Sequence, residues 1–145
     1  MSNLAPSQKA FDLIRQFEGL MLTAYKCPAG ILTIGYGHTG KDVVPGETID
    51  MDTAEQLLLA DVAKIIPGLN LLLKVDVTQN QFDALVSFTY NNGIGNFKNS
   101  TMLQLINKGD FTDAAKEFGR WVFGAHIKLD GLVTRRLAER DLFVS

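Results

Sequence analysis

The stretch Glu18 to Gly40, EGLMLTAYKCPAGILTIGYGHTG, decides how the chain is read. It starts on a lone carboxylate at a predicted helix end and continues through residues that lean to β structure. Leu22 to Tyr25 and Ile31 to Tyr36 read as short strands, and Cys27-Pro28-Ala29-Gly30 between them is a turn signal. Thr39-Gly40-Lys41-Asp42 and Pro45-Gly46 are further turns. The expectation is a small antiparallel sheet, largely exposed on one face. Cys27, Thr33 and His38 stand in the same stretch, and a segment built only for a core has little use for so many glycines, hydroxyls and titratable groups. It reads as the lip of an active site.

Working outward, Ala10, Phe11, Ile14 and Phe17 recur at helical spacing behind Ser7 as N-cap. They predict a helix from about Gln8 to Glu18, with Gly19 as its C-terminal signal. Glu18 lies next to Phe17 and one turn after Ile14, at the border of the apolar face, where partial desolvation raises a carboxyl pKa. Beyond the stretch the chain turns helical. Asp52-Thr53-Ala54-Glu55 has the form of a capping box, followed by a stripe of Leu57, Leu58, Val62, Ile65 and Ile66 that Pro67-Gly68 ends or kinks. Thr78-Gln79-Asn80-Gln81 is a second box, opening a helix with Phe82, Leu85, Val86 and Phe88 inside, and Asn91-Asn92-Gly93-Ile94-Gly95 breaks it. Ser100 caps a short helix closed by Gly109, and Phe111 to Trp121 and Leu132 to Phe143 are the last helical segments. The class is α+β, with a small sheet near the N-terminus and a mainly helical remainder.

At 145 residues the chain is one domain's worth, 46% hydrophobic and 21% charged, which is the composition of a globular protein. A formal net charge of −2 argues against a general nucleic-acid binder. A single cysteine excludes an internal disulfide and any cysteine-based zinc site. The N-terminal residues hold no apolar run of signal-peptide length, and no run long enough to span a bilayer occurs. The expected location is therefore the cytoplasm of the producing cell.

An acetal hydrolase needs an acid near the leaving oxygen and a second group to handle water or the cation. Glu18 suits the first role, against the alternative of a solvated surface glutamate. The sequence puts no carboxylate between Glu18 and Asp42 for the second. Thr33 can orient a water, or simply form a strand. Cys27 can act as its thiolate, or pack as a small hydrophobe. His38 is a ligand or base, or else a hydrogen-bonded structural group; with His126 the only other histidine, no metal site is expected. Gly30, Gly35, Gly37 and Gly40 read as bends and places of close backbone approach, with no GK[ST] after them. Asn91, Asn92, Gly93 and Gly95 form a loop that either lines a cleft or is turn chemistry only. Arg135 and Arg136, at the opening of the last helix, either reach an acid such as Glu18 or form a solvated face. Trp121 is core or cleft wall. Composition and spacing name no substrate.

Five blocks carry a resemblance: FEG (Phe17 to Gly19), AYKCPAG (Ala24 to Gly30), TIGYGHT (Thr33 to Thr39), FTYNNGIGNFKNSTML (Phe88 to Leu103) and GLVTRRLAERDLF (Gly131 to Phe143). In this order and over nearly the whole chain, they resemble the phage-type lysozymes of glycoside hydrolase family 24, in the endolysin branch of lambdoid-type phages and prophages.

The resemblance implies a lysozyme-like α+β fold in one domain spanning residues 1–145. A sheet-bearing lobe covers about 20–50, a helical lobe covers about 52–145 with the N-terminal helix, and a cleft between them holds the glycan. It implies cleavage of the β-1,4 bond between N-acetylmuramic acid and N-acetylglucosamine in peptidoglycan, without a cofactor. The family's catalytic glutamate falls on Glu18 and its threonine on Thr33, whereas its aspartate falls on Cys27. The arginine that pairs with the glutamate is best matched by Arg135, with Arg136 as alternative and His38 as a further supporting group. Tyr36, Gly37, Asn92 and Gly95 fall where substrate is bound. The implied partners are glycan strands, reached after a holin or similar pore opens the membrane; a monomer is expected, and no nucleic acid is involved.

Overall fold

The first helix, α1, covers Gln8–Glu18, because its apolar positions share one face and Gly19 stops it at a φ of 70°. Ala10 and Ile14 on that face are fully buried. The Ser7 hydroxyl accepts from the Lys9 amide at 3.4 Å and donates to the Asp83 carboxylate, so the predicted cap also ties the helix start to a distant residue. The computed structural model describes residues 3–124 and 126–145.

After α1 come three strands, β1 (Met21–Lys26), β2 (Leu32–Gly35) and β3 (His38–Thr39), in the order β1-β2-β3 and antiparallel throughout. Tyr25 pairs with Thr33, and Thr33 with Thr39, with an irregularity between Met21 and Tyr25. The open side of β1 is covered by a return of the chain: the Ala24 amide donates to the Glu47 carbonyl at 2.8 Å and the Ile49 amide to the Leu22 carbonyl at 2.9 Å. The exposed face expected from sequence lies mainly on β1, whereas Thr33, Ile34 and Gly35 of β2 are buried.

The second helix, α2, runs over Met51–Leu72 and departs from the sequence expectation at its start. Its start is set by Asp50, whose carboxylate accepts from the Thr53 amide at 2.8 Å, so the cap lies before Asp52. Of the two expectations at Pro67, an end or a kink, the end is not observed, since the helix runs through it. Proline removes one intrahelical bond, a cost of about 3 kcal/mol. Leu69 and Leu73 just beyond it are completely buried, and that burial holds the last turns in helical form.

α3 (Gln79–Asn92) opens on Thr78, with both halves of the predicted capping box present. Residues Phe82 to Thr89 are all buried, so the helix is enclosed on every face. α4 (Ile94–Lys98) occupies the segment expected to be loop, and α5 (Thr101–Asn107) is capped by Ser100 as predicted. α6 (Phe111–Glu117) passes into a short 3-10 turn over Phe118–Arg120. A hairpin of β4 (Phe123–Gly124) and β5 (Ile127–Lys128) precedes α7 (Asp130–Val144).

The chain divides into two compact units. One is Ile14–Lys64, holding the three-stranded sheet; the other comprises the residues up to Leu13 with Ile65–Ser145. The core of the first includes Ile34, Val43, Leu58 and Val62. In the second, α3 packs along α7. There the Phe88 ring meets Phe97, Phe118 and Trp121 edge-on, with centroids at 6.2, 5.5 and 5.4 Å. Trp121 is thus a core-edge aromatic. Among the described residues no helix is long and apolar enough to cross a membrane.

Candidate active site

The Ile14–Lys64 unit gathers Glu18, Cys27, Thr33, Tyr36, Gly37 and His38. α1 ends on Glu18 and delivers its half-buried side chain to the β2–β3 turn. The approach is tight. A Cβ placed on Gly37 would stand 2.5 Å from Glu18 Oε1 and 3.1 Å from its carboxyl carbon. Gly37 also holds φ at 78°, which a side chain disfavours. Glycine is therefore needed at this position for the carboxyl to lie against the backbone.

Cys27 begins the β1–β2 turn as a half-buried free thiol. Its amide donates to the Ile31 carbonyl at 2.9 Å, and the Gly30 amide returns to its carbonyl at 2.8 Å. These two bonds close the turn, and the backbone of Ile31 and Ala29 within it reaches the sulfur. Hydrogen bonds from the backbone of Ile31 and then of Ala29 hold the Cys27 thiol below its ordinary pKa, and the Thr33 side chain adds to them. Thr33 is buried, and its hydroxyl donates to the Ile31 carbonyl at 3.0 Å. Sulfur and hydroxyl, six sequence positions apart, so form one cluster held by Ile31.

His38 is buried between two carboxylates. Nδ1 meets Asp61 Oδ2 at 2.6 Å and Nε2 meets Asp42 Oδ2 at 2.9 Å. Both nitrogens face acceptors, which favours the imidazolium. Burial lowers the His38 pKa, but the bonds to Asp61 and Asp42 outweigh it and the net direction is up. Asp42 is held below its ordinary value, first by His38. Both ring nitrogens are engaged, as a hydrogen-bonded group requires.

Tyr36, where the resemblance implies substrate contact, lies largely inside at 8% exposed. Its hydroxyl bonds to Glu55, which also takes two bonds from Arg15, Nε to Oε1 at 2.8 Å and Nη2 to Oε2 at 2.7 Å. Arg15 is the main reason the Glu55 carboxyl sits below its usual range.

The remaining sequence candidates lie in the other unit. Asn92 donates to the Phe88 carbonyl at 3.1 Å, and Gly95 stands exposed in the first turn of α4. Arg135 and Arg136 lie in the middle of α7, not at its opening, and are 3% and 1% exposed. A solvated arginine face is thereby excluded. Glu139 lies between them: Arg135 Nε donates to Oε2 at 3.2 Å, Arg136 Nη1 to Oε1, and the Ser87 hydroxyl to Oε2 at 2.6 Å. Arg136 further donates to the Trp121 carbonyl at 3.0 Å and to Asn91 Oδ1.

A family model described as phage lysozyme matches residues 15–139, which takes in every one of these groups. The chain belongs to the phage lysozyme family. Similarity to individual members extends further than the model. The endolysin of Bacillus phage B103 is 50% identical over 141 residues, covering 96% of this chain and 54% of that protein. The endolysin of Acyrthosiphon pisum secondary endosymbiont phage 1 is 43% identical over 143 residues, covering 96% of this chain and 97% of that one. Among solved structures, the muramidase domain of SpmX from Asticaccaulis excentricus superposes with a TM-score of 0.91 at 37% identity, covering 99% of each chain. The lysozyme-like α+β fold expected from the sequence is the one observed. The chain spans about half the length of the Bacillus phage endolysins it matches.

Within this phage lysozyme framework, sequence reading overlooked the partners that fix the candidates. Asp42 was open to inference, since it follows His38 at the i+4 position. Asp61 lies 23 residues away, and no local signal links it to His38. Glu139 sits three and four positions after the two arginines, a spacing that α7 converts into contact.

Proposed function

We propose that the chain is the muramidase domain of an endolysin, hydrolysing the β-1,4 bond between N-acetylmuramic acid and N-acetylglucosamine in bacterial peptidoglycan. Membership of the phage lysozyme family supports this reading. The observation that carries it is the seating of the Glu18 carboxyl against the backbone of Gly37, a position that leaves no room for a side chain.

In this proposal Glu18, in its protonated form, gives its proton to the glycosidic oxygen as the bond to the anomeric carbon breaks. A water adds to that carbon, and its proton passes to the Cys27 thiolate, which Thr33 and the backbone of Ile31 and Ala29 stabilise. Thr33 positions the water beside the sulfur. The sulfur takes the place of a second carboxylate, and the turn's hydrogen bonds make the thiolate available nearer neutral pH than a free cysteine allows. Access to the wall through a membrane pore supplied by another protein, and action as a monomer, belong to the same proposal.

Turbidity loss of purified sacculi tests the assignment. Glu18→Gln should abolish it, and retained activity would sink the reading. Cys27→Asp should keep activity and Cys27→Ala should lower it by roughly 100-fold, the scale of a lost general base. A wild-type rate for Cys27→Ala would reduce the thiol to packing.

The same lowered thiol pKa favours a second reading, in which Cys27 attacks the anomeric carbon and forms a covalent glycosyl-enzyme that water then hydrolyses. NMR of the first product separates the two: inversion of the anomeric centre fits the base, retention fits the nucleophile.

A further inference from the structure

The unit containing Ile65–Ser145 carries a cavity of about 490 Å³ that no step of this hydrolysis uses. It lies among the end of α6, the β4–β5 hairpin and α7, over a floor of Phe118, Val122 and Val133. Lys116, Lys128 and Arg140 line it from exposed positions, Arg136 lines it from beneath, buried and paired with Glu139, and among the described residues no carboxylate does. That bias is local, because the chain as a whole has a net charge of −2. Two of these cations have a carboxylate neighbour outside the lining, Asp113 at 3.2 Å from Lys116 and Asp141 at 3.4 Å from Arg140, and both pairs stand in water, where such pairs are weak and a competing anion can displace them. Among the described residues Lys128 has no ion-pair partner.

The hairpin sets charge beside apolar surface. Phe123 pairs directly with Lys128, so their side chains share one face, and both line the cavity. Gly124 pairs with Ile127, which puts Ile127 on the opposite face. Phe123 and Ile127 are 60% and 64% exposed, and Leu137 at the rim is also exposed. Large apolar side chains held in water beside a cluster of cations are the pattern of a surface that meets an amphiphile.

We propose that this cavity seats the headgroup of an anionic phospholipid, with Phe123 and Leu137 entering the acyl boundary beside it, so that the domain docks on an anionic membrane surface. The exposed cations Lys128, Lys116 and Arg140 account for the phosphoryl group. The exposed aromatic and aliphatic side chains favour lipid over a free phosphate or a polar wall polymer, neither of which needs them.

Co-sedimentation with vesicles tests the proposal. Wild-type protein should pellet with phosphatidylcholine vesicles containing roughly one-third phosphatidylglycerol and stay in solution with phosphatidylcholine alone. Lys128→Glu with Arg140→Glu should lower that partitioning by about tenfold or more, because each basic group near such a surface contributes on the order of a fivefold gain. Phe123→Ser should lower it several-fold, with helical circular dichroism unchanged. Failure to bind anionic vesicles, equal binding to both vesicle types, or wild-type partitioning of both variants would overturn the proposal. Complete displacement by glycerol phosphate, with no effect of Phe123→Ser, would also overturn it, in favour of a soluble phosphate site. Both variants should clear lipid-free sacculi at the wild-type rate, so a failure here is distinct from a failure of the muramidase reading.

Discussion

The two units hold buried charge in opposite arrangements. In one, a single cation, His38, lies between two carboxylates, Asp61 and Asp42. In the other, a single carboxylate, Glu139, lies between two guanidiniums, Arg135 and Arg136. Sign alone would shift the two central groups in opposite directions, yet both pKa values rise. For His38 the bonds to Asp61 and Asp42 overcome a desolvation that pushes down. For Glu139 desolvation comes first and outweighs Arg136, Arg135 and Ser87, which all push down. The difference is depth. Asp42 keeps a side-chain exposure of 64%, so the His38 cluster reaches water, whereas Glu139 is fully buried.

The largest expected effect follows from that depth. Glu139→Ala leaves two guanidiniums facing each other without their shared acceptor, and urea unfolding should show a loss of about 3–5 kcal/mol. A loss below 1 kcal/mol would mean that the Glu139 cluster is as solvated as the His38 one, and the contrast would collapse.

The next test concerns Gly37, the residue that joins His38 to Glu18. Gly37→Ala places a methyl group where the Glu18 carboxyl sits, and that carboxyl is the mobile end of a side chain. The expected result is displacement of the acid, with activity on sacculi falling about 100-fold, the scale for misplacing a reacting group by an ångström. Gly30→Ala is the control. Gly30 has a φ of 79° against 78° for Gly37, but a Cβ there meets nothing within 4 Å. Both variants should lose about 1–2 kcal/mol of stability from the left-handed backbone, and only Gly37→Ala should lose activity on this scale.

The smallest effects lie within the His38 cluster. Asp61→Asn should cost about 1.5–3 kcal/mol, as for a hydrogen bond to a charged group, because Asp61 is only 17% exposed. Asp42→Asn should cost less, because the Asp42 carboxylate is largely in water. The pH dependence has a definite sign. A histidine with a raised folded pKa stabilises the fold fully below its unfolded value of about 6.5, and the contribution is lost as pH rises through the folded value. The lowered Asp42 contributes above its unfolded value of about 3.9 and is lost as pH falls through the folded one. His38→Gln should therefore be most destabilising between about pH 4.5 and 6.5, with the deficit shrinking toward pH 9, as read by thermal unfolding across pH.

Much of the fold was determined locally and was legible for that reason. The span of α1, the Thr78 capping box, the Ser100 cap and the β1–β2 turn all depend on side chains within a few positions of the backbone groups they satisfy. The order of the sequence blocks was enough to point to the family, and with it to Glu18, Cys27 and Thr33 as the residues to examine. Tertiary structure decided what local propensity leaves open. α2 passes through Pro67 because Leu69 and Leu73 are buried beyond it, and Glu47 to Ile49 return to β1 because its edge would otherwise be unpaired. The β4–β5 hairpin is too short to register as strand. Desolvation was the largest omission. Sequence supplies charge but not depth, so it leaves Arg135 and Arg136 open as surface groups, whereas in the fold Glu139 and Ser87 lie beside them, and it carries no sign that the Tyr36 hydroxyl rests on Glu55.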